Sequence, residues 1–184
     1  MARKRYYIAC IPKEPLYNQI FEEQRYLQTA YGLKAMFNSP PHITLHRPFE
    51  WEEHKEDVLM QMLGSFKLNA PIDLKLNGYD GFPKRVFYIR VAPCDILNET
   101  YFMLRSHVRI NLGLTNEFSN AYGFKPHITL AFRDLKPRQY DAIITEFANK
   151  VFAATFHVNE LSLLKHHTVW TSIYTFGNTN THSL

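Results

Sequence analysis

Short apolar runs that stop at proline alternate along this chain with longer amphipathic stretches that stop at glycine. Arg5 to Ile11, apolar and aromatic and closed by Pro12, predicts a strand of a sheet core. From Pro15 to Tyr31 the apolar residues Leu16, Ile20, Phe21 and Leu27 recur at helical spacing among Glu, Gln and Arg, and Gly32 is placed to end the helix. Ser39-Pro40-Pro41 breaks any helix and leads into an extended segment that begins at His42. After Arg47-Pro48, the residues Trp51, Val58, Leu59, Met62 and Leu63 predict a second helix ended by Gly64, followed by a long strand or hairpin arm from Phe66 to Tyr79. Gly78-Tyr79-Asp80-Gly81-Phe82-Pro83 is dense in turn residues and reads as a seam between halves.

Beyond that seam the order repeats. Arg85 to Val91 reads as a strand ended by Pro93, Asp95 opens a helix to about Leu112, and Lys125-Pro126 leads into an extended segment at His127. A helix around Pro137 to Lys150 carries Tyr140, Ile143, Ile144 and Phe147 on one face, and Phe152 to Leu164 follows as a long strand. The pattern predicts a bilobal, duplicated α+β fold: a first lobe over about 1–80, a second over about 84–167, and a last strand over about 168–177. In that arrangement two antiparallel sheets flank a central groove, with the helices outside.

Composition narrows the ligand. The 184 residues carry a formal charge of +4 and 15% aromatic residues, a mild basic bias that suits a small phosphate or an RNA end and lacks the long basic stripe of a duplex binder. Cys10 and Cys94 stand far apart in no metal or redox spacing and read as ordinary thiols of a reducing compartment. The opening apolar run is too short for a signal peptide, and no stretch approaches the roughly 20 apolar residues that cross a bilayer. The chain is therefore read as cytoplasmic, with no membrane partner.

The candidate chemistry lies in one string that occurs twice, Pro-His-Ile-Thr-Leu, at Pro41 to Leu45 and again at Pro126 to Leu130. A chance repeat of this length has a probability on the order of 1 in 100. Side chains alternate across a strand, so His42 and Thr44 share one face, about 7 Å apart, while Ile43 and Leu45 share the other. His127 and Thr129 repeat the arrangement. A single His-x-Thr strand is ordinarily a hydrogen-bonded surface or core pair; two copies in equivalent places of a duplicated unit bring two imidazoles and two hydroxyls to one groove. One neutral imidazole can take a proton from water while a protonated one gives a proton to a departing ribose oxygen, and the hydroxyls can donate to phosphate oxygens as negative charge builds.

These paired motifs, His42-Ile43-Thr44-Leu45 and His127-Ile128-Thr129-Leu130, resemble the signature of the 2H phosphoesterase superfamily, and most of all its RNA 2′,3′-cyclic phosphodiesterase branch, historically called 2′-5′ RNA ligases. The likeness spans nearly the whole chain, and Phe82-Pro83-x-Arg85-Val86 is similar to the same branch. The resemblance implies catalysis by His42, Thr44, His127 and Thr129, with His127 as general base and His42 as general acid. It implies no metal and no cofactor, and as substrates RNA ends or cyclic nucleotides whose 2′,3′-cyclic phosphate is opened, commonly to the 2′-phosphate.

Other residues are candidate substrate contacts. Trp170, in the Lys165-His166-His167-Thr168-Val169-Trp170 loop, could stack a base or pack in the core; Phe82, Tyr122 and Phe49 are further stacking candidates. Arg133 lies six residues beyond His127, roughly 20 Å along an extended chain and too far for the same phosphate, so it reads either as a contact to a neighbouring RNA phosphate or as a solvated or cap-neutralising arginine beside Asp134. Arg47 has the opposite parity to His42 and reads as structural. His46, His54, His166 and His167 show no zinc-site spacing. Two other functions stay open on the sequence: a 2′-5′ oligonucleotide phosphodiesterase or ligase, and a nucleotide-binding module without turnover. A binder has no need of two proton-transfer groups, which disfavours the module.

Overall fold

Residues 2–115 and 123–178 are described by a computed structural model. Its eight strands form two antiparallel four-stranded sheets. In the first, strand β1 (Arg3–Cys10) lies between β2 (Ile43–Glu52) and β7 (Leu161–His166), with β8 (Trp170–Phe176) outside β7. In the second, β4 (Val86–Val91) lies between β5 (His127–Ala131) and β3 (Ile72–Phe82), with β6 (Ala153–Val158) outside β3. The predicted α+β class with two antiparallel sheets is therefore present. Tyr122 lies outside the described residues.

Helices α1 (Leu16–Tyr31), α2 (Glu56–Gly64), α3 (Asp95–Leu112) and α4 (Pro137–Phe147) bury one stripe each. In α1 the stripe is Leu16, Ile20, Gln24 and Leu27, and Gly32 ends the helix in the left-handed region (φ 70°) that a side chain rarely adopts. Leu59 and Leu63 of α2, Leu97, Leu104 and Val108 of α3, and Ile143 and Phe147 of α4 join Ile8, Ile43, Leu45, Phe87, Ile89 and Ile128 of the sheets in one continuous core.

The local elements follow the sequence, but the pairing does not follow the halves. Phe152 to Leu164, expected as one strand, is two: β6 joins the second sheet and β7 the first. The strand expected from Phe66 begins at Ile72, and the turn-rich Gly78–Phe82 segment is no seam, since it continues β3 and forms a hairpin with β4, Phe82 opposite Val86. Trp51, expected in a helix, pairs with Lys4 at the end of β2. Alternation in β2 fails at Leu45 and His46, both buried, where Ile8 lies opposite His46 but Ala9 opposite Thr44, the signature of a bulge.

The consequence for function is simple. Both motif strands, β2 and β5, are edge strands, and these two edges come into contact with each other.

Candidate active site

Each motif histidine is fixed by its own backbone. His42 Nδ1 lies 2.7 Å from the carbonyl of Pro40, and His127 Nδ1 lies 2.7 Å from the carbonyl of Lys125, in both cases the residue two before it. A carbonyl only accepts, so Nδ1–H donates and the lone pair of each neutral ring is left on Nε2. The proline before each histidine, Pro41 and Pro126, holds the segment extended, as this return bond requires.

Each imidazole also leans on a tyrosine from the adjoining central strand. The Tyr7 ring of β1 is 5.0 Å from His42, and the Tyr88 ring of β4 is 4.7 Å from His127. The supports then diverge. Tyr7 Oη bonds to Ser39 Oγ, which itself lies 3.4 Å from His42 Nδ1. Tyr88 Oη donates to Asp80 (3.1 Å), whose carboxylate is 3.6 Å from Lys125 Nζ, and the Lys125 ammonium sits 5.3 Å from the Phe82 ring.

A cavity of about 360 Å³ opens where the two edges meet, lined by His42, Thr44 and Thr129 together with Arg5, Tyr7, Gln24, Ser39, Arg133 and Trp170. Pockets of this size hold a nucleotide-scale ligand. Thr129 lies opposite Tyr88 and His127 opposite Arg90 in the β4–β5 ladder, so His127 and Thr129 share one face of β5. Gln24 of α1 donates to the Thr129 carbonyl (3.1 Å), pinning the second motif strand to a helix of the first half. Neither threonine hydroxyl is hydrogen-bonded to another group among the described residues.

Burial sets the protonation of the pair. It pushes the His42 imidazole down to about 4, against the Pro40 carbonyl, which favours the charged ring; His127 adds a further small depression. His127 is lowered by burial too, with the Lys125 charge acting in the same direction. Burial thus favours the neutral form of both rings at pH 7.

Other sequence candidates fall into place unevenly. Arg133 lines the same cavity as His42, Thr44 and Thr129 instead of lying 20 Å away, because β5 ends at Ala131 and the chain turns through Arg133 at φ 46°. Trp170 lines the cavity, its ring 4.7 Å from Tyr7 and 5.7 Å from the Arg5 guanidinium carbon. Phe82 packs 5.3 Å from His127. Phe49 packs on Tyr6 and His46, away from the site, and Arg47 is an exposed residue of β2. Tyr7, Tyr88 and Arg5 escaped the sequence reading; the signal for the first two was a second repeat, Tyr6-Tyr7-Ile8 and Phe87-Tyr88-Ile89, lying 35 and 39 residues before the respective motif histidines. Among the described residues no three His, Cys, Asp or Glu side chains gather to hold a metal ion, and no helix is long and apolar enough to cross a membrane.

The arrangement has counterparts. The profile of the 2′-5′ RNA ligase superfamily matches residues 12–170. A protein of Geobacillus sp. (strain WCH70) named as a phosphoesterase is 31% identical over 129 residues, 66% of this chain and 70% of that one. Among solved structures, the TT0787 protein of Thermus thermophilus aligns with a TM-score of 0.66 at 23% identity, over 97% of this chain and 100% of that one. Escherichia coli LigT in complex with 3′-AMP aligns with a TM-score of 0.68 at 20% identity, again over 97% and 100%. These two likenesses concern the fold.

Proposed function

Because this chain belongs to the 2′-5′ RNA ligase superfamily, the 2H phosphoesterases, we propose that it is a phosphodiesterase that opens 2′,3′-cyclic phosphates at RNA ends or on nucleotides by two-histidine acid-base catalysis. The observation that carries this reading is the matched pair of Nδ1 bonds to Pro40 and Lys125, which leaves each Nε2 as the proton-transfer atom, next to a cavity lined by His42, Thr44 and Thr129. That LigT was crystallised with 3′-AMP, and in another structure with phosphate, agrees with a nucleotide-sized phosphate ligand here.

In the proposed reaction Nε2 of His127 takes a proton from water as the water oxygen attacks phosphorus. The P–O3′ bond breaks, and Nε2–H of His42 gives its proton to the departing O3′, so the product is a 2′-phosphate with a free 3′-hydroxyl. Thr44 and Thr129 donate to the non-bridging oxygens, a stabilisation worth about 2 to 4 kcal/mol per donor in a preorganised site. No covalent nucleophile and no metal ion take part. The base and acid labels rest on the family resemblance, since the Nδ1 bond is the same at both histidines.

His42 must be charged to act as acid, yet burial by the protein alone pushes it down to about 4. The bound phosphate anion supplies the missing partner: an opposite charge within about 4–6 Å favours imidazolium. Binding of the phosphate therefore draws a proton from solvent onto the His42 ring. A comparison of two substrates tests the assignment: an oligonucleotide ending in a 2′,3′-cyclic phosphate is expected to be hydrolysed, and a 2′-5′-linked oligoadenylate to be left intact. Cleavage of the second alone would replace this reading with a 2′-5′ phosphodiesterase.

A further inference from the structure

Behind Trp170 lies a second cavity, of about 440 Å³, that the catalytic reading does not use. It shares Ser39, Pro40 and Trp170 with the catalytic cavity, so one indole ring forms a wall of both. Its remaining lining includes Tyr17 and Phe21 of α1, Phe37 just before the first motif strand, and Val169. Tyr17 and Phe21 stand nearly parallel (18°, centroids 6.3 Å apart), and Phe37 meets Phe21 edge-on at 5.3 Å.

These rings are not part of the α1 stripe that packs the core. Leu16, Ile20, Gln24 and Leu27 are buried, whereas Tyr17 and Phe21, one position on, are half-buried and face the open cavity. Tyr17, Phe21 and Arg25 follow at intervals of four, on one side of the helix, with the Arg25 guanidinium 5.1 Å from the Phe21 ring. A helix that turns two aromatic rings towards an open cavity offers planar surfaces suited to a planar ligand.

The position of the cavity identifies that ligand. The catalytic cavity has the volume for one nucleotide, and an RNA end continues from its terminal nucleotide through a phosphodiester to the next. At the shared wall, Arg5 lies over Trp170, and among the described residues it is in no ion pair with a carboxylate. A cation at the wall and stacking surfaces beyond it match, in order, a bridging phosphate and a base.

We propose that the second cavity holds the base of the penultimate nucleotide, with Arg5 meeting the phosphate between the last two, so that the preferred substrate is an oligoribonucleotide end and not a cyclic mononucleotide. The proposal rests on the cyclic phosphodiesterase reading but fails separately from it, because its test is a binding measurement. The His127→Ala protein, in which turnover is expected to be about 10²- to 10⁴-fold slower, is titrated with adenosine 2′,3′-cyclic phosphate, with the adenosine dinucleotide ending in the same group, and with that dinucleotide made abasic at its first position. The intact dinucleotide is expected to bind about tenfold tighter or more than the mononucleotide, the usual worth of one stacked base. The abasic form is expected to lose that advantage. Phe21→Ala is expected to remove it while leaving mononucleotide affinity unchanged, and Phe21→Leu, which keeps most of the apolar volume but no ring, to do the same in a protein of intact circular dichroism. Arg5→Gln is expected to weaken the dinucleotide more than the mononucleotide. Equal affinity for the two ligands, or an advantage that survives the abasic position or both Phe21 variants, overturns the proposal. Tight dinucleotide binding without hydrolysis by the wild-type protein would overturn the catalytic reading and leave the second site standing.

Discussion

At the scale of single residues, the two histidines are distinguished by what each must do to the proton. Replacing either with Ala is expected to lower kcat about 10²- to 10⁴-fold on a cyclic phosphate, the usual worth of one positioned acid or base. On a nitrophenyl phosphodiester, whose leaving group departs without protonation, His42→Ala is expected to regain activity and His127→Ala to stay impaired; the reverse pattern exchanges the roles. Burial of His42 adds a binding signature. Its ring is held at about 4, and a bound anion raises it, so anion binding takes up a proton and must tighten as pH falls from 8 towards 5. Calorimetric titration with sulfate, whose own charge is constant over that range, is expected to show this slope in the wild type and a shallower one in His42→Ala. The histidines and threonines were legible in the sequence because Pro-His-Ile-Thr-Leu occurs twice. Tyr7 and Tyr88 were not, because an aromatic residue inside an apolar strand is indistinguishable from core until its neighbour across the ladder is known.

Among elements, the β3–β4 hairpin carries the support of His127, since Phe82 and Tyr88 both belong to it. Gly81 lies inside this hairpin where a Cβ would come within 2.7 Å of the Val86 carbonyl oxygen and 2.5 Å of Tyr140 Oη. The backbone oxygen cannot yield cheaply, so Gly81→Ala is expected to cost on the order of 1 to 3 kcal/mol. Thermal denaturation should show the midpoint several degrees lower; an unchanged midpoint would mean the strand pair shifts freely there. The hairpin also marks where sequence reading stopped. Proline and glycine punctuate the chain locally, so the extents of α1, α3 and α4 and the strand starting at Arg85 or Val86 could be anticipated. Which strand lies beside which is a long-range choice, and nothing in the alternation of Ile72, Leu74 and Leu76 says that their strand will pair with β4 and β6. Arg133 was misplaced for the same reason: the run after His127 looks extended, and only the structure shows the turn beyond Ala131.

Across the whole molecule, the two halves are tied together by strand exchange and by a few polar contacts around the groove. Asp134 accepts the backbone N–H groups of Lys34 (2.7 Å) and Ala35 (2.9 Å), and Glu146 of α4 accepts from Tyr31 (2.6 Å) and Tyr26 of α1. Lys150, with Tyr26 and Tyr31, holds the Glu146 carboxyl down to about 2. A carboxyl lowered on folding contributes stability that is complete above its unfolded value, near 4.3, and is lost as pH falls towards 2. Wild type is therefore expected to lose more stability between pH 5 and pH 2 than Glu146→Gln in urea titrations, and equal pH slopes would show that the tie does not form in solution. These ties hold α1 against β5 beside the contacting motif edges, and the proposed chemistry depends on that apposition, because each motif carries one imidazole and one hydroxyl. The most direct measurement is a phosphorus NMR assay of an oligoribonucleotide ending in a 2′,3′-cyclic phosphate, incubated with the protein in EDTA. The account predicts that the cyclic resonance is replaced by that of a 2′-phosphomonoester with the wild type and persists with His42→Ala or His127→Ala. Loss of turnover in EDTA that added divalent metal restores, or near-normal conversion by both histidine variants, would contradict it.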